Sequence, residues 1–447
     1  MLSSVLIANR GEIARRVIRG CRALGVRAVA VYSEADAGWP PVRDADQAVS
    51  IGGAPARESY LNVDRILAAA RETGAQAVHP GYGFLSENWR FAKACEEAGL
   101  VFIGPPWRVI QQMGDKVEAR RRMQAAGVPV VPGSEGALAS LEAAVALADR
   151  IGYPVMLKAA AGGGGIGMVR VPDAAALPAA WASAERRSQA AFGSGALFVE
   201  RYLAEARHVE VQVFGDSRGE VVHLHERECS IQRRHQKLIE ESPAPALEPG
   251  VKAKLVAAAV AGARAVGYVN AGTMEFIVRG SEIYFLEMNT RLQVEHPVTE
   301  EVTGVDLVQA QLRVASGEPL PWRQDEIVQR GAAIECRIYA EDPAKNFMPS
   351  PGTISRLTLP EGPGVRLEIG VAEGVQVSVH YDPLLAKLVT RGATREEALA
   401  RMQAALDGFV VEGIRTVIPF HRRVLESAAF RAGRVHTQMV EQGAFNA

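Results

Sequence analysis

Gly162-Gly163-Gly164-Gly165-Ile166-Gly167 runs directly into Met168-Val169-Arg170-Val171, and the element after the glycines decides the fold. The six residues satisfy the GxGxxG spacing of a dinucleotide-binding turn. In that fold the glycines open a helix, whose amino end takes the pyrophosphate. Here the next residues read as a strand, so the run is a hairpin loop whose bare amides can fold over a polyphosphate. The plain alternative is a mobile surface hairpin. Lys158, at the end of a strand expected over 151–159, brings a cation to the same place and favours phosphate. No GxxxxGK[ST] occurs, which removes the P-loop, and an oxidoreductase reading fails on the strand after the glycines.

Around this loop the chain divides in three. Within residues 1–114, strands expected over 5–8, 27–32, 77–79 and 100–103 alternate with helices over 12–24, 63–73 and 88–98. That alternation specifies a parallel α/β sheet. Ligands bind such sheets at the carboxyl ends of the strands, where Asn9-Arg10-Gly11-Glu12 and His79-Pro80-Gly81-Tyr82-Gly83 fall. Residues 115–330 change to helices followed by Gly-punctuated antiparallel strands over 168–171, 198–203, 208–214 and 221–226, a helix over 252–266, and a strand pair at 273–278 and 282–288. A third region, 331–447, has its own strands, a Pro349-Ser350-Pro351-Gly352 turn and closing helices over 395–406 and 418–427. The fold class is therefore multidomain α/β and α+β.

At 447 residues the chain exceeds what one hydrophobic core supports, in keeping with two or three domains. A net charge of -1 supplies no general field for nucleic acid, so anionic substrates must be held by local Arg and Lys clusters. The amino terminus lacks the pattern of a signal peptide, and no apolar run is long enough to span a membrane. Cys21, Cys95, Cys229 and Cys336 form no CxxC pair. Reduced thiols in a cytoplasmic enzyme are the expectation.

Arg279-Gly280-Ser281 reads as the turn between strands 273–278 and 282–288. Folding there brings Glu275 close to opposite Glu287, and Asn289 falls on the same face. Two carboxylates and an amide oxygen suit Mg2+, which prefers oxygen ligands and shares them with phosphates. A solvated acidic pair is the plain alternative, but Arg291, Glu295 and His296 come directly after it. The second polar stretch, Glu226 to Lys237, could be a solvated charge run, but an anion site fits better, since its several donors can serve ribose, phosphate or bicarbonate. His223, His225, Cys229 and His235 match no common zinc spacing.

These stretches together resemble biotin carboxylase, the ATP-grasp component of acetyl-CoA carboxylase and related biotin-dependent carboxylases. The matching segments are Ile7 to Ala14, His79 to Asn88, Met113-Gly114-Asp115-Lys116, Arg233 to Lys237, Glu287 to Glu300 and Glu335-Cys336-Arg337-Ile338. The resemblance covers essentially the whole chain. It implies an amino-terminal domain, an ATP-grasp domain with a mobile lid over about 131–203, and a carboxyl-terminal domain. It also implies ATP, Mg2+ (or Mn2+) and carrier-linked biotin. Lys116, Lys158, Gly164 and Gly165 are then expected at the ATP phosphates. Glu200-Arg201-Tyr202-Leu203 is expected at adenine through its backbone, with His208 and His235 near the ribose. Glu275, Glu287 and Asn289 would hold magnesium. Lys237, Arg291 and the backbone of Val294 would hold bicarbonate, with Glu295 as its base and Arg337 facing biotin.

Two departures from the family stand out. Ile166 replaces a frequent basic residue in the glycine loop, and Ala160-Ala161 replace a frequent Ser-Gly. Arg19 and Arg366, kept from the family, imply a homodimer, although Pro363 stands where an aromatic is common. No Met-Lys-Met attachment motif occurs, so biotin is expected on a separate carrier protein, with carboxyltransferase subunits as further partners and fatty acid biosynthesis as the setting. The rival readings are another ATP-grasp carboxylate ligase and a non-catalytic nucleotide-binding regulatory protein. Neither needs Arg291, Glu295 and Arg337 together.

Overall fold

A computed structural model of the protein describes residues 1–159 and 168–446. Gly164, Gly165, Ile166 and Ala160-Ala161 lie outside the described residues. The amino-terminal region is a parallel five-stranded sheet of order β3-β2-β1-β4-β5, formed by β1 (Ser4–Ile7), β2 (Arg27–Tyr32), β3 (Gln47–Ser50), β4 (Ala77–His79) and β5 (Val101–Phe102). Its helices start and stop on local chemistry. The Asn88 side chain accepts from the amides of Arg90 and Phe91 to open helix Trp89–Glu97, and Gly74, left-handed at φ 63°, closes helix Val63–Thr73. Strand β3, half polar and half buried, carried no apolar signal in the sequence.

A small antiparallel sheet comes next, of order β7-β6-β8, with β6 (Val155–Ala159), β7 (Val169–Val171) and β8 (Leu197–Arg201). Val155 pairs with Val171, so the two strands flanking the glycine run form a hairpin, as expected. The strand expected from residue 151 begins only at Val155. Helix Leu141–Ile151 runs through that point and ends at Gly152, because Pro154 cannot continue it.

The rest of the chain is organised by one antiparallel eight-stranded sheet of order β13-β12-β9-β10-β11-β14-β16-β15. Its strands are β9 (Arg207–Gly215), β10 (Val221–Arg233), β11 (Gln236–Ser242), β12 (Asn270–Arg279), β13 (Glu282–Asn289), β14 (Ala332–Tyr339), β15 (Val365–Ile369) and β16 (Leu384–Gly392). Ile239 on β11 pairs with Cys336 on β14, so the sheet passes unbroken across residue 331. The Glu226–Lys237 run is correspondingly not a solvated loop. It is paired strand, with Arg227, Glu228, Gln232 and Lys237 buried. Only Arg234 and His235 turn the chain, both at positive φ, 48° and 66°.

Alternation sorts the two faces of this sheet by chemistry. Val209, Val211, Val213, Met274 and Phe276 pack with Val251, Leu255 and Ala259 of helix Pro249–Ala265. The residues between them, His208, Glu210, Gln212 and Glu275, share the opposite face. Helix His296–Thr303 covers its carboxyl-terminal half, where Val298 and Val302 pack on Ala333 and Val389.

The amino-terminal helix Gly11–Ala23 docks against the far edge of the large sheet. A Cβ on Gly370 would stand 2.5 Å from the Glu12 backbone nitrogen, so only glycine allows this approach. Arg15 donates to the Ile369 carbonyl at 2.9 Å, and Lys387 on β16 lies 3.1 Å from the Glu12 carboxylate. Gly370→Ala should therefore cost about 1–3 kcal/mol of stability, read as a lower urea midpoint; an unchanged midpoint would mean that the interface is slack. Burial pushes the Glu12 carboxyl up to about 7, against the opposing pull of Lys387. A raised carboxyl favours the folded state below its unfolded value of 4.5 and loses that contribution as pH rises through about 7. The stability of Glu12→Gln relative to the unmodified chain should thus climb over that window. Denaturant titrations across it provide the check, and a flat difference would contradict it.

Candidate active site

The polar face of the large sheet opens into a cavity of about 940 Å3 between the three regions. Of the described residues singled out in the sequence, Lys116, Lys158, Glu200, Arg201, Tyr202, Leu203, His208, His235, Lys237, Glu275, Glu287, Asn289, Arg291, Val294 and Arg337 all line it. Glu295 does not. It is fully buried behind Lys237 and Arg337.

Two β-bulges aim these side chains. Ile231 pairs with Ile239 and Gln232 with Lys237, so Leu238 is an extra residue on β11 that turns Lys237 toward Glu210. On β13, Glu287 pairs with Glu275 and Phe285 with Phe276, which makes Leu286 the extra residue. The expected opposition of Glu275 and Glu287 is thus realised in register.

At the centre Lys237 Nζ donates to Glu210 at 2.5 Å, Glu275 at 2.8 Å and Glu295 at 2.6 Å. The second oxygen of Glu295 accepts from Arg337 Nη2 at 2.8 Å, and Arg337 Nε reaches Glu240 at 2.5 Å. Burial alone would raise the Glu295 carboxyl. Lys237, Arg337 and Arg227 outweigh it and hold the group well below the usual carboxylate range, hence ionised at neutral pH. Burial opposes the Lys237 charge too, but the surrounding carboxylates keep it protonated. His208, with Nε2 3.2 Å from Glu275, is raised by that carboxylate against the effect of its burial.

Beside this centre Arg291 is held from two sides. Its Nε donates to Glu87 at 2.9 Å and its Nη2 to the Asn289 amide oxygen at 3.0 Å. At the opposite end of the cavity Glu200 bridges Lys158 and Arg120. Arg170 on β7 stacks over Tyr202 at 4.8 Å.

Glu210 and Arg227 were missed in the sequence. Arg227, with no exposed surface, bonds Glu210 at 2.5 Å and Gln212 at 2.8 Å. The alternation His208-Val209-Glu210-Val211-Gln212 was the available signal, since it sets three polar side chains on one face of an apolar strand.

The residues present fit a divalent cation. Asn289 Nδ2 donates to Glu275 at 2.9 Å, while Glu287 opens onto the cavity with no ion pair among the described residues. Desolvation in the cleft, then the like charge of Glu275, raises the Glu287 carboxyl, which is the situation a bound cation relieves. His208, Glu210 and Glu275 also cluster, as do Glu210, Cys229 and Glu295, but Lys237 and Arg227 already neutralise these groups. No such cluster among the described residues includes His223, His225 or His235.

Family models match in three consecutive segments: the biotin carboxylase N-terminal domain at 1–110, the carbamoyl-phosphate synthase L chain ATP-binding domain at 115–323, and the biotin carboxylase C-terminal domain at 335–442. The chain is 54% identical to the biotin carboxylase of Halalkalibacterium halodurans over 441 residues, 98% of this chain and 97% of that one. It is 52% identical to biotin carboxylase 2 of Bacillus subtilis over 443 residues, 99% of this chain and 100% of the relative. Among solved structures, the biotin carboxylase domain dimer of Hydrogenobacter thermophilus 2-oxoglutarate carboxylase, in complex with MgADP, ADP and bicarbonate, superposes with a TM-score of 0.93 at 46% identity, covering 100% of this chain and 99% of that one. Sequence and fold agree: the chain belongs to the biotin carboxylase family.

Proposed function

We propose that the chain carboxylates biotin with ATP and bicarbonate, and that the observation carrying this is Glu295, ionised and fully buried between Lys237 and Arg337 with Arg291 beside it. Bicarbonate is a poor nucleophile. It needs fixed cations to hold it and a base to take its proton as it attacks phosphorus. Arg291, Lys237 and the Val294 amide hold the anion. Its charge, shared with Lys237, loosens the grip of that ammonium on Glu295, which then accepts the proton.

Lys116, Lys158, Gly164 and Gly165 hold the ATP phosphates, Glu200 to Leu203 take adenine through their backbone, and His208 and His235 lie at the ribose. Glu275, Glu287 and Asn289 hold Mg2+ (or Mn2+). When bound, that ion neutralises the polyphosphate during in-line transfer. The bicarbonate oxygen bonds the γ-phosphorus, ADP leaves, and carboxyphosphate remains. Its breakdown gives CO2 and a phosphate that takes the ureido proton of biotin. The freed nitrogen bonds CO2, while Arg337 stabilises the enolate-like ureido oxygen.

The same reading divides the chain at 1–114, 115–330 with a lid over about 131–203, and 331–447. It supplies biotin on a carrier protein and passes the carboxyl group to carboxyltransferase subunits, in the cytoplasm. Among the described residues no helix is long and apolar enough to cross a membrane. The acceptor is an acyl-CoA, with acetyl-CoA and fatty acid biosynthesis as the leading case. Arg19 and Arg366, which both bond Glu368, lie at a homodimer contact.

ATP hydrolysis should depend on bicarbonate and rise with free biotin, and Glu295→Gln should lower it by about a hundredfold or more. ADP release stimulated by ammonia or an amino acid, and indifferent to biotin, would overturn the reading. Glu287→Gln should weaken Mn2+ binding by roughly ten- to a hundredfold, measured by the paramagnetic signal of the free ion; unchanged binding would remove Glu287 from the metal site.

A further inference from the structure

Residues 290–295, between β13 and helix His296–Thr303, belong to no strand or helix, so their carbonyls must find partners elsewhere. Arg291 Nη1 donates to the Leu292 carbonyl at 3.3 Å, and His296 Nδ1 lies 2.8 Å from that of Gln293. Both are local. The Val294 carbonyl is instead held at 2.9 Å by Lys387 Nζ, which reaches in from β16. Lys387 has no exposed surface, and its ammonium lies 3.1 Å from Glu12.

A buried ammonium is costly to desolvate, and an apolar side chain of similar length would fill the same space without that cost. The charge is therefore explained by what it touches. One contact is Glu12, in the Asn9-Arg10-Gly11-Glu12 turn at the carboxyl end of β1. The other is the peptide that joins Val294 to Glu295. Arg337 pairs with Lys387 in register on the adjacent strand, so the residue beneath the loop and the residue that clamps Glu295 share one ladder rung. Glu335, one alternation away on the same face of β14, adds a second carboxyl whose two oxygens have no hydrogen-bond partner among the described residues.

We propose that Lys387 is a positioning residue for bicarbonate: anchored by Glu12, it fixes the Val294–Glu295 peptide and thereby the directions in which the Val294 amide and the Glu295 carboxylate face the anion. Glu12 and Lys387 form one device, which carries the position of the amino-terminal helix into the bicarbonate loop. The inference rests on the assignment of Arg291, Val294 and Glu295 to bicarbonate.

The test is steady-state ATP hydrolysis by the full chain in CO2-depleted buffer, with bicarbonate and MgATP varied in turn. Lys387→Met keeps the length and removes the charge. It should raise KM for bicarbonate by roughly ten- to a hundredfold while KM for MgATP stays within about twofold, since a displaced positioning contact acts only on what it positions. A Lys387→Met protein with both KM values unchanged, or both raised together, would show a merely structural clasp and overturn the inference. If the single variant does not fold, Lys387→Met with Glu12→Gln removes the carboxylate that ion-pairs with the lost ammonium, and the same split is read there. Arg291→Ala, measured alongside, separates the two levels. An unchanged bicarbonate KM in Arg291→Ala would sink the bicarbonate assignment itself. A raised KM there with none in Lys387→Met would sink only the role of Lys387.

Discussion

Lys237 stands within hydrogen-bonding distance of Glu210, Glu275 and Glu295, and all four side chains are buried. Such an arrangement is costly unless each charge is answered. Arg227 answers Glu210 from behind, Arg337 answers Glu295 and Glu240, and His208 answers Glu275. The strands that carry these groups must therefore keep their register, because a one-residue slip would bury an unpaired charge. Stability and chemistry are joined here. Lys237 and Arg337, two of the cations that make the sheet tolerable, also line the cavity.

That dependence explains what the sequence disclosed and what it hid. The hairpin through Gly280 was legible because so short a turn, two residues between paired Arg279 and Glu282, leaves little freedom, and Glu275 duly pairs with Glu287. Yet the bulge at Leu286, which keeps both carboxylates on one face, has no sequence signature of its own. The bulge at Leu238 is equally silent, and without it Lys237 could be read as an ordinary charged residue. Glu226 to Lys237 could be read as a solvated charge run or, better, as an anion site, and neither reading revealed that it is paired strand. Here the charges answer one another across strands, and such pairing appears only when β9, β10 and β11 are assembled.

The amino-terminal region shows the opposite case. Apart from β3 its strands are apolar runs, and helices Val63–Thr73 and Trp89–Glu97 carry Asn caps, so local chemistry alone placed these elements to within a few residues. What could not be read was how closely helix Gly11–Ala23 approaches β15 and β16. Gly370 and Lys387 are single residues whose meaning depends on a partner more than three hundred residues away. Family resemblance marked Glu12 as part of a motif, but only its distance to Lys387 attaches a physical task to it.

The unbroken passage of the large sheet across residue 331 governs how the molecule can come into being. Strand β11 carries Lys237, and its outer edge is covered only when β14 arrives from far downstream. Until then β11 is an open edge, able to pair with another chain. Contacts of such long sequence separation form slowly, since the intervening loop must close before any bond rewards it. During synthesis the cluster of buried charges therefore stays incomplete until Arg337 has emerged, and it is among the last parts of the molecule to form.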